Sequence, residues 1–410
     1  MLPYIYDCII VGAGASGLMC AASMAGAPRE DFRGLILEAT ARPGTKLLMS
    51  GGGRCNITHA GSIKDFVPLY HTADPAADAG RFLRTTLYRH SNLDLMGFLE
   101  AAGLSLVTEE DGRVFPASGK AKDVLDLLLA KTAEAGFVLE TGRWVTGLTR
   151  TSEGLWEVTA DGLGGPSQLL TCSLIVASGG CSYPSTGSDG SLFHVLEQAL
   201  DLPMTPLAPA LTPLTPKDWP YGSLAGITMQ GVTVQSAAPG RKAAREQGSV
   251  LFTDQGLSGP AALNLSRYCH AGSTLAVGWV DRTYEEVLAD LTALLASSKA
   301  EAANLIADRY GLPRRFCRLL AERGGRSPKK LAALLTGDSF SIERTGSFLN
   351  AMVTAGGVPL GAVDPKTMEL RHHPGCYVIG EALDADGPTG GYNLTLCWAT
   401  AAAAADAVRR

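Results

Sequence analysis

The sequence lacks a long apolar run: no stretch approaches the ~18–20 apolar residues that a membrane-spanning helix requires. Its apolar N-terminus has no basic segment before it, and the glycines from Gly12 onward interrupt it, unlike a signal peptide. We therefore expect a cytoplasmic protein with no membrane partner. The composition, 46% hydrophobic and 18% charged, is typical of a folded globular chain and excludes extensive disorder.

Paired cysteines are also missing. The nine cysteines are scattered, with no CxxC motif and no histidine or cysteine at metal-ligand spacing. Such a set predicts small core side chains in a reducing compartment rather than disulfide bonds. It also predicts no metal centre.

An excess of positive charge is absent as well. The chain carries 35 Lys+Arg against 40 Asp+Glu, a net charge of −5, whereas a nucleic-acid-binding protein needs a concentrated basic face. Two local basic runs, at residues 241–245 and 323–330, are interpreted as solvated loops, with an anionic substrate left open. The composition therefore predicts no nucleic-acid partner.

Glycine, in contrast, is abundant, with 48 residues. Residues 8–11 predict a buried strand, which runs into GxGxxG at Gly12, Gly14 and Gly17 and then into a helix-forming stretch. Glu38 ends a second apolar strand about twenty residues further on, where a carboxylate accepts hydrogen bonds from a ribose. Together they predict a dinucleotide site. The alternative is a glycine turn in an ordinary βαβ unit, with Glu38 a surface charge.

Further glycine-rich segments lie at residues 50–56, 177–180, 354–358 and 380–394. The first belongs to an ordered loop, the second follows a fully apolar strand, and the third is a predicted glycine turn. The last leads into a C-terminal helix whose N-terminus offers N–H donors. FAD is larger than NAD and demands contacts from several separated segments, so this distribution favours FAD.

The chain length of 410 residues predicts two or three domains. Prolines are frequent from Leu202 onward, and this change in composition marks the best candidate for a domain boundary. Residues 224–252 alternate apolar and polar side chains as antiparallel strands do, and residues 283–336 are mainly helical. The chain then returns to its first domain through a short apolar strand at residues 376–379.

Seven motifs carry a family resemblance: GAGASG, KLLMSGGGRCNIT, GRVFPAS, ASGGCSYPSTGSDG, LFTDQGLSGPAAL, TAGGV and GEALDADGPTGGYNL. In this order, along nearly the whole chain, they resemble the BaiN/YhiN-like family of NAD(P)/FAD-dependent oxidoreductases, to which aminoacetone oxidase looks related. The resemblance implies an α/β fold. Its implied parts are a discontinuous Rossmann-like FAD-binding domain at 1–201 and 346–410, a β-barrel-like substrate domain at 202–282 and 336–345, and a helical domain at 283–335.

The resemblance also implies which residues line FAD, with Val145 as a backbone partner for adenine. Departures from the family pattern are few: His59 stands where Asn is usual, Ser178 where Thr is common, and Thr395 where Gln is common. The predicted cofactor contacts, from the glycine-rich segments and the resemblance together, are Gly12, Gly14, Ala15, Ser16, Gly17, Glu38, Ala39, Lys46, Ser50, Gly51, Gly52, Gly53, Asn56, Val145, Ala177, Ser178, Gly179, Gly180, Gly380, Glu381, Gly390, Gly391, Asn393 and Leu394.

The predicted reaction is hydride transfer between a small organic substrate and flavin N5. Arg54, Tyr183 and Thr354 are predicted to contact the substrate, because each lies in a loop expected to face the flavin. No histidine–carboxylate pair stands out as an acid–base couple. The sequence has one GxGxxG, so NAD(P)H as reductant would dock transiently, and O2 is the alternative electron acceptor.

Two other functions stay open. A non-catalytic or RNA-associated flavin-binding protein would need a basic face, and an NAD-only dehydrogenase would contain no flavin. The sequence gives no indication of the oligomeric state.

Overall fold

In the computed structural model, residues 4–25, 31–237 and 243–409 are described. Arg241 and Lys242, from the basic run at 241–245, lie outside these residues. The chain divides into two compact units: unit 1 comprises Met1–Pro209 and Val353–Arg410, and unit 2 comprises Ala210–Met352. Both boundaries fall later than those predicted at 201/202 and 345/346. The helices predicted as a separate domain share unit 2 with the barrel.

The regular elements include runs of consecutive strands, such as β6 to β9, and a run of four consecutive helices, α9 to α12. The strands are β1 (Ile5–Val11), β2 (Gly34–Glu38), β3 (Thr58–His59), β4 (Leu106–Thr108), β5 (Arg113–Pro116), β6 (Phe137–Thr141), β7 (Trp144–Arg150), β8 (Trp156–Asp161), β9 (Ser167–Val176), β10 (Thr205–Ala210), β11 (Leu214–Pro216), β12 (Thr228–Ala237), β13 (Ala244–Phe252), β14 (Leu257–Ser258), β15 (Thr274–Gly278), β16 (Asp338–Thr345), β17 (Val353–Gly357) and β18 (Cys376–Val378). The α-helices are α1 (Ala15–Ser23), α2 (Thr45–Met49), α3 (Ile63–Phe66), α4 (Ala79–Arg89), α5 (Asn92–Ala101), α6 (Ala121–Glu134), α7 (Ser191–Leu200), α8 (Pro260–Leu265), α9 (Tyr284–Ser297), α10 (Ala302–Tyr310), α11 (Arg314–Gly324), α12 (Pro328–Gly337) and α13 (Tyr392–Val408).

Unit 1 is built on a sheet in the order β6-β2-β1-β9-β8-β7, with β18 also paired to β9. The strands β6, β2, β1, β9 and β18 run parallel, whereas β8 and β7 are antiparallel. Cys8, Ile9 and Ile10 of β1 are fully buried, as expected of a central strand covered on both faces. The predicted Rossmann-like α/β fold is confirmed. The carboxyl ends of β1, β2 and β9 meet at one sheet edge, where such folds bind ligands.

Two segments of unit 1 differ from their predicted conformation. The loop at residues 41–61 contains a short helix, α2, because the apolar TKLLM stretch lies between Gly44 and the following glycines. TAGGV, predicted as a glycine turn, lies largely in the buried strand β17, which pairs with β10. A Cβ on Gly356 would overlap the carbonyl oxygen of Pro206. These glycines therefore allow close packing between segments of the protein itself.

Unit 2 contains a closed barrel of antiparallel strands in the order β11-β14-β13-β12-β15-β16. The alternating sequence predicted at residues 224–252 contains the long strand pair β12–β13, with Val232, Val234, Val250 and Phe252 buried. This confirms the predicted barrel-like fold. The basic run at residues 323–330 is not a loop, because it includes the end of α11 and the start of α12.

An ion pair joins a half-buried arginine of α11 to a buried carboxylate in unit 2. Arg323 on α11 donates two hydrogen bonds to Asp338 on β16, both at 2.7 Å. Tyr221 donates a third to the same carboxylate at 2.5 Å, and Trp279 contributes another at 3.4 Å. Asp338 is 2% exposed. Burial and the nearby carboxylate raise the pKa of Tyr221, so this network is a structural link between helix and barrel.

Candidate functional site

The three glycines of GxGxxG have different surroundings. A Cβ on Gly12 would lie 2.5 Å from the carbonyl oxygen of Ala177, and a Cβ on Gly17 would overlap the carbonyl oxygen of Gly12. A Cβ on Gly14 would meet no atom within 4 Å. Gly12 and Gly17 thus allow strand and helix to pack, while Gly14 leaves space beside the first turn of α1, where a pyrophosphate binds in this motif.

The Glu38 carboxylate is fixed at the end of β2. One oxygen accepts a hydrogen bond from the Ala13 amide at 2.8 Å. The other accepts from the amide and hydroxyl of Thr40 at 2.8 and 2.7 Å. Because a carboxylate has about four acceptor sites, one is left for a ribose hydroxyl. Arg143 donates its backbone amide to the Glu38 carbonyl, which places the start of β7, with Val145, beside this position.

In the segment after α2, three consecutive glycines leave the backbone exposed and not covered by side chains. Gly51, Gly52 and Gly53 are exposed and have φ values of 58°, 67° and 86°, a region that favours glycine. A Cβ on Gly52 would meet nothing within 4 Å. With its amide oriented to satisfy both groups, Asn56 accepts from the Gly391 amide and donates to the Thr58 carbonyl, each at 3.1 Å. The segment is therefore fastened to the start of α13.

A charged network joins four separated segments. Lys46 on α2 forms an ion pair with Glu381 at 2.7 Å and also donates to the Ser182 hydroxyl. The other oxygen of Glu381 accepts from the Ser182 hydroxyl at 2.9 Å and from the Thr354 amide at 3.0 Å. The Lys46 and Glu381 side chains are 28% and 17% exposed, so the pair still reaches the surface of the site.

Thr354 was predicted to contact substrate, but its side chain is fully buried. Its hydroxyl accepts from the amides of Cys181 and Ser182 at 2.7 and 3.1 Å. Gly180 allows this approach, since a Cβ there would overlap the same hydroxyl. Thr354 therefore braces the segment after β9 and does not present its hydroxyl to a substrate in this structure.

The start of α13 is fronted by Gly390 and Gly391, whose φ values of 120° and 100° favour glycine. The Asn393 side chain accepts from the Gly387 amide and donates to the Gly387 carbonyl, both at 2.8 Å. It therefore braces its own loop, and any cofactor contact falls to its backbone. The first-turn amides, including those of Asn393 and Leu394, have no acceptor within the helix.

The remaining predicted residues lie along the same contacts. Gly380 packs against Ser16 of α1, because a Cβ on Gly380 would lie 2.5 Å from the Ser16 hydroxyl. Gly179 lies similarly close to Ser188. Four predicted residues are half-buried neighbours of these contacts in sequence, and no side-chain hydrogen bond to the site defines a role for them: Ala15, Ala39, Ser50 and Ser178. Ala177 is buried at the end of β9.

Arg54 and Tyr183 stay predictions as substrate contacts. Arg54 pairs with Glu109 at 2.7 Å and lies over the Phe115 ring, 4.0 Å from its centroid. Tyr183 is half-buried and has a φ of 53°, a strained value for a residue with a side chain. Such strain is found at ligand sites.

Sequence reasoning missed Asp384 and Ser182. Asp384 is fully buried and accepts from the Ala73 amide at 2.8 Å, the Thr72 hydroxyl at 2.6 Å and the Gly356 amide at 3.1 Å. It thus ties three segments together. The only signal was a carboxylate immediately after GEAL, whose partners are more than twenty residues away and cannot be read from spacing.

The thiols near this network are not reactive groups. Burial raises the pKa of Cys55 to about 12 and that of Cys397 to about 12, with Glu381 adding to the second effect. Both stay protonated at neutral pH. Within residues 4–25, 31–237 and 243–409, no group of three or more His, Cys, Asp or Glu could hold a metal ion. The network therefore offers binding groups rather than a thiolate nucleophile.

No helix in the described part of the chain is long and apolar enough to span a bilayer.

A parallel sheet whose carboxyl edge carries this glycine-lined site defines the class: an FAD-dependent oxidoreductase with a Rossmann nucleotide-binding domain. The chain belongs to the family described as HI0933-like protein Rossmann domain, whose family model matches residues 6–407. This confirms the family resemblance seen in the sequence motifs.

Relatives with named activities match over almost the whole chain. A 3-dehydro-bile acid delta(4,6)-reductase from Clostridium scindens is 31% identical over 95% of this chain and 96% of that protein. A ribosomal RNA dihydrouridine synthase from Escherichia coli is 29% identical over 98% of this chain and 97% of that protein. Among solved structures, 3-ketosteroid-delta4-(5alpha)-dehydrogenase from Rhodococcus jostii RHA1 has a TM-score of 0.54 at 15% identity, covering 98% and 97% of the two chains. This last likeness shows a shared fold.

Proposed function

We propose that this protein reduces a carbon–carbon double bond conjugated to a carbonyl group, with FAD as the hydride carrier. The observation that carries the proposal is the convergence in unit 1 of Gly14, Glu38, the Lys46–Glu381 pair and the first turn of α13. The relatives' names supply the reaction class. A delta(4,6)-reductase and a dihydrouridine synthase both add hydrogen across a double bond, as their names state.

Each part of the site has a role in holding FAD. Gly14 and the first turn of α1 would hold the pyrophosphate, Glu38 a ribose hydroxyl, and the backbone near Val145 the adenine. The first-turn amides of α13 would stabilise negative charge on the pyrimidine edge of the reduced ring. Bound FAD would supply hydride transfer at its N5 atom. The protein's contribution is orientation and electrostatics.

The substrate has two candidate classes. A small organic enone is the class expected from the acidic composition and is supported by the bile acid named in one relative. A uracil base within RNA is supported by the name of the other. Both contain a double bond conjugated to a carbonyl, so one reductive site serves either class. The positive charge of unit 2, described below, favours the RNA-borne base.

The reductant is proposed to be NAD(P)H. GxGxxG occurs once in the sequence and is assigned to FAD, so a nicotinamide nucleotide would bind transiently. The alternative is that O2 accepts the electrons from the reduced flavin, in which case the protein would be an oxidase.

The test begins with the purified protein. Denaturation should release FAD, identified by chromatography, and anaerobic mixing with NADH or NADPH should bleach the flavin absorbance near 450 nm on the order of seconds. Adding 4-androstene-3,17-dione or a uridine-containing RNA should then restore the absorbance. A saturated ketone is the matched control and should not.

Three results would contradict the proposal. Absence of flavin would favour an NAD-only dehydrogenase. Flavin that neither nucleotide bleaches would leave an oxidase or a non-catalytic flavoprotein. Reoxidation by O2 but by neither unsaturated acceptor would exclude the double-bond reduction.

A further inference from the structure

The net charge of −5 is the sum of two unequal parts. Unit 2, residues 210–352, contains 16 Lys and Arg against 12 Asp and Glu, a net charge of +4. The rest of the chain contains 19 against 28, a net charge of −9. The positive charge of unit 2 is concentrated at residues 314–330, where seven basic residues accompany one acidic residue.

Five of these seven basic residues lie on the outer side of α11 and α12; Arg323 instead pairs with Asp338, and Arg326 lies between the two helices. In α11 the buried side is formed by Phe316, Cys317, Leu320 and Gly324, whereas Arg314, Arg315 and Arg318 are exposed. In α12 the buried side is formed by Leu331, Ala332 and Leu335. We call the exposed residues at Arg314, Arg315, Arg318, Lys329 and Lys330 the basic face.

The two helices that carry the basic face are held in close contact. A Cβ on Gly324, near the end of α11, would lie 2.7 Å from the Leu331 side chain of α12. Gly324 thus allows a tight helix–helix approach. The basic face is therefore displayed by packed helices and does not depend on a loop becoming ordered.

The basic face is only partly neutralised. Arg314 pairs with Asp308 at 3.0 Å, and Arg315 donates to the Ser223 carbonyl at 2.8 Å. Among the described residues, no carboxylate forms an ion pair with Arg315, Arg318, Lys329 or Lys330. By contrast, Arg323 on the same helix forms an ion pair with Asp338. These four exposed positive charges therefore have no counter-ion among the residues that the structure describes.

We propose that the basic face is an RNA-docking surface, which holds the phosphate backbone of an RNA. Exposed Lys and Arg on a rigid scaffold bind phosphates by charge and by release of counter-ions. The inference rests on the proposed function, because it names the surface that would hold an RNA whose base is reduced. RNA is chosen over DNA because a relative matching 98% of the chain is named for an RNA activity.

A membrane surface fits this region less well. Helices that bind lipid interfaces combine basic residues with exposed large apolar side chains. Among the described residues, none of the exposed large hydrophobic side chains lies between Tyr284 and Leu349. The apolar sides of α11 and α12 are already part of the core of unit 2.

The test is the affinity of the full protein for a fluorescein-labelled, uridine-containing RNA hairpin, measured by anisotropy over a salt series. The variant R315Q/R318Q/K329Q/K330Q should raise Kd at least about tenfold at about 0.1 M salt and lower the salt slope by about 3 to 4. The matched control R81Q/R84Q/K120Q/K122Q removes four exposed charges from unit 1 and should stay within about twofold. Circular dichroism and flavin content check folding.

Several outcomes would overturn the proposal. They are an unchanged Kd in the basic-face variant, an equal loss in the control, equal affinity for a DNA hairpin of the same sequence, or displacement of RNA by anionic phosphatidylserine vesicles. Reoxidation of reduced flavin by 4-androstene-3,17-dione is measured in parallel. If neither this enone nor the uridine-containing RNA reoxidises the flavin while RNA binding depends on the basic face, the proposed function is wrong and the docking surface stands.

Discussion

Unit 1 and unit 2 use charge and backbone in opposite ways. Unit 1 is acidic, and its site is built from glycine-lined backbone with one ion pair, Lys46–Glu381, that still reaches solvent. Unit 2 has a basic helix face, and its Arg323–Asp338 pair joins an arginine side chain that is 31% exposed to a carboxylate that is 1% exposed and bonded to Tyr221 and Trp279. The net charge of the whole chain, −5, therefore describes neither unit, because it is the sum of +4 for unit 2 and −9 for unit 1.

The same contrast explains which unit can be interpreted from sequence. A pyrophosphate or ribose site depends on where backbone lies, and glycine spacing records this directly. A phosphate-binding surface depends on which side chains share a helix face and lack partners. Those properties appear only after folding.

The largest expected effect is in the core of unit 2. Asp338→Ala leaves Arg323 and Tyr221 without their shared acceptor, and breaking a buried pair costs about 3–5 kcal/mol. Hydrogen–deuterium exchange by mass spectrometry should show lost protection in peptides of β15 and β16, with peptides of β1 and β2 unchanged. The free energy of unfolding measured in urea gives the magnitude.

Two matched variants keep the Asp338 test decisive. Asp338→Asn retains one acceptor oxygen and should cost less than the alanine. Asp308→Asn breaks the exposed Arg314 pair, whose side chains are 63% and 67% exposed, and should cost below about 1 kcal/mol. Equal effects of Asp338→Ala and Asp308→Asn would show that the core pair is not important for stability.

In unit 1 the largest effect should come from a methyl group rather than a charge. Gly17→Ala places a Cβ against the Gly12 carbonyl and should destabilise the unit by about 1–3 kcal/mol, with most FAD lost on purification. Gly14→Ala meets open space within the protein, so it should fold normally and weaken FAD binding alone. Flavin content and urea unfolding are the measurements. Similar unfolding energies for both variants would contradict the assigned glycine roles.

The fold could be predicted from the sequence further than the side-chain contacts of the candidate site, for physical reasons. Glu38 and Gly14 lie at the edge of the Rossmann sheet, where the local pattern of strand, turn and helix predicts them, and their contacts with a cofactor stay predictions. Thr354 and Asn393 were predicted to face ligands, but their side chains brace loops, because their hydrogen-bond partners are distant or set by loop geometry. Asp384 was missed because three separate segments define its role.

A smaller effect is expected from the half-buried Lys46–Glu381 ion pair of unit 1. Lys46→Met leaves the Glu381 carboxylate without its cation and with fewer donors to orient it. FAD affinity should fall about tenfold, the size of one hydrogen bond to a charged group, measured by fluorescence titration of the apoprotein. Lys64→Met, at an exposed lysine of α3, is the control. No loss of FAD affinity in Lys46→Met would remove the pair from the cofactor site.

Alkaline pH should lower the stability of the two units in the same way. Burial raises the pKa of Cys376 in unit 1 and of Cys317 in unit 2, each to about 12, while an unfolded thiol titrates near about 8.5. Between these values the unfolded chain releases a proton that the folded chain keeps, so stability falls as pH rises. Each thiol should contribute about 1.4 kcal/mol per pH unit. The free energy of unfolding in urea, measured from neutral to alkaline pH, should show a slope that Cys376→Ala and Cys317→Ala each reduce.

The smallest effect on stability should come from Arg54→Gln, and this makes Arg54 the sharpest test of chemistry in unit 1. Its pair with Glu109 is exposed by 43% and 32%, so the free energy of unfolding should change by less than about 1 kcal/mol. If Arg54 contacts the substrate carbonyl, KM should rise about tenfold with flavin content unchanged. Glu109→Gln removes the partner and keeps the cation, so KM should then stay near the wild-type value. Equal changes in both variants would mean that Arg54 acts only by holding Glu109 and Phe115 beside the glycine-rich segment.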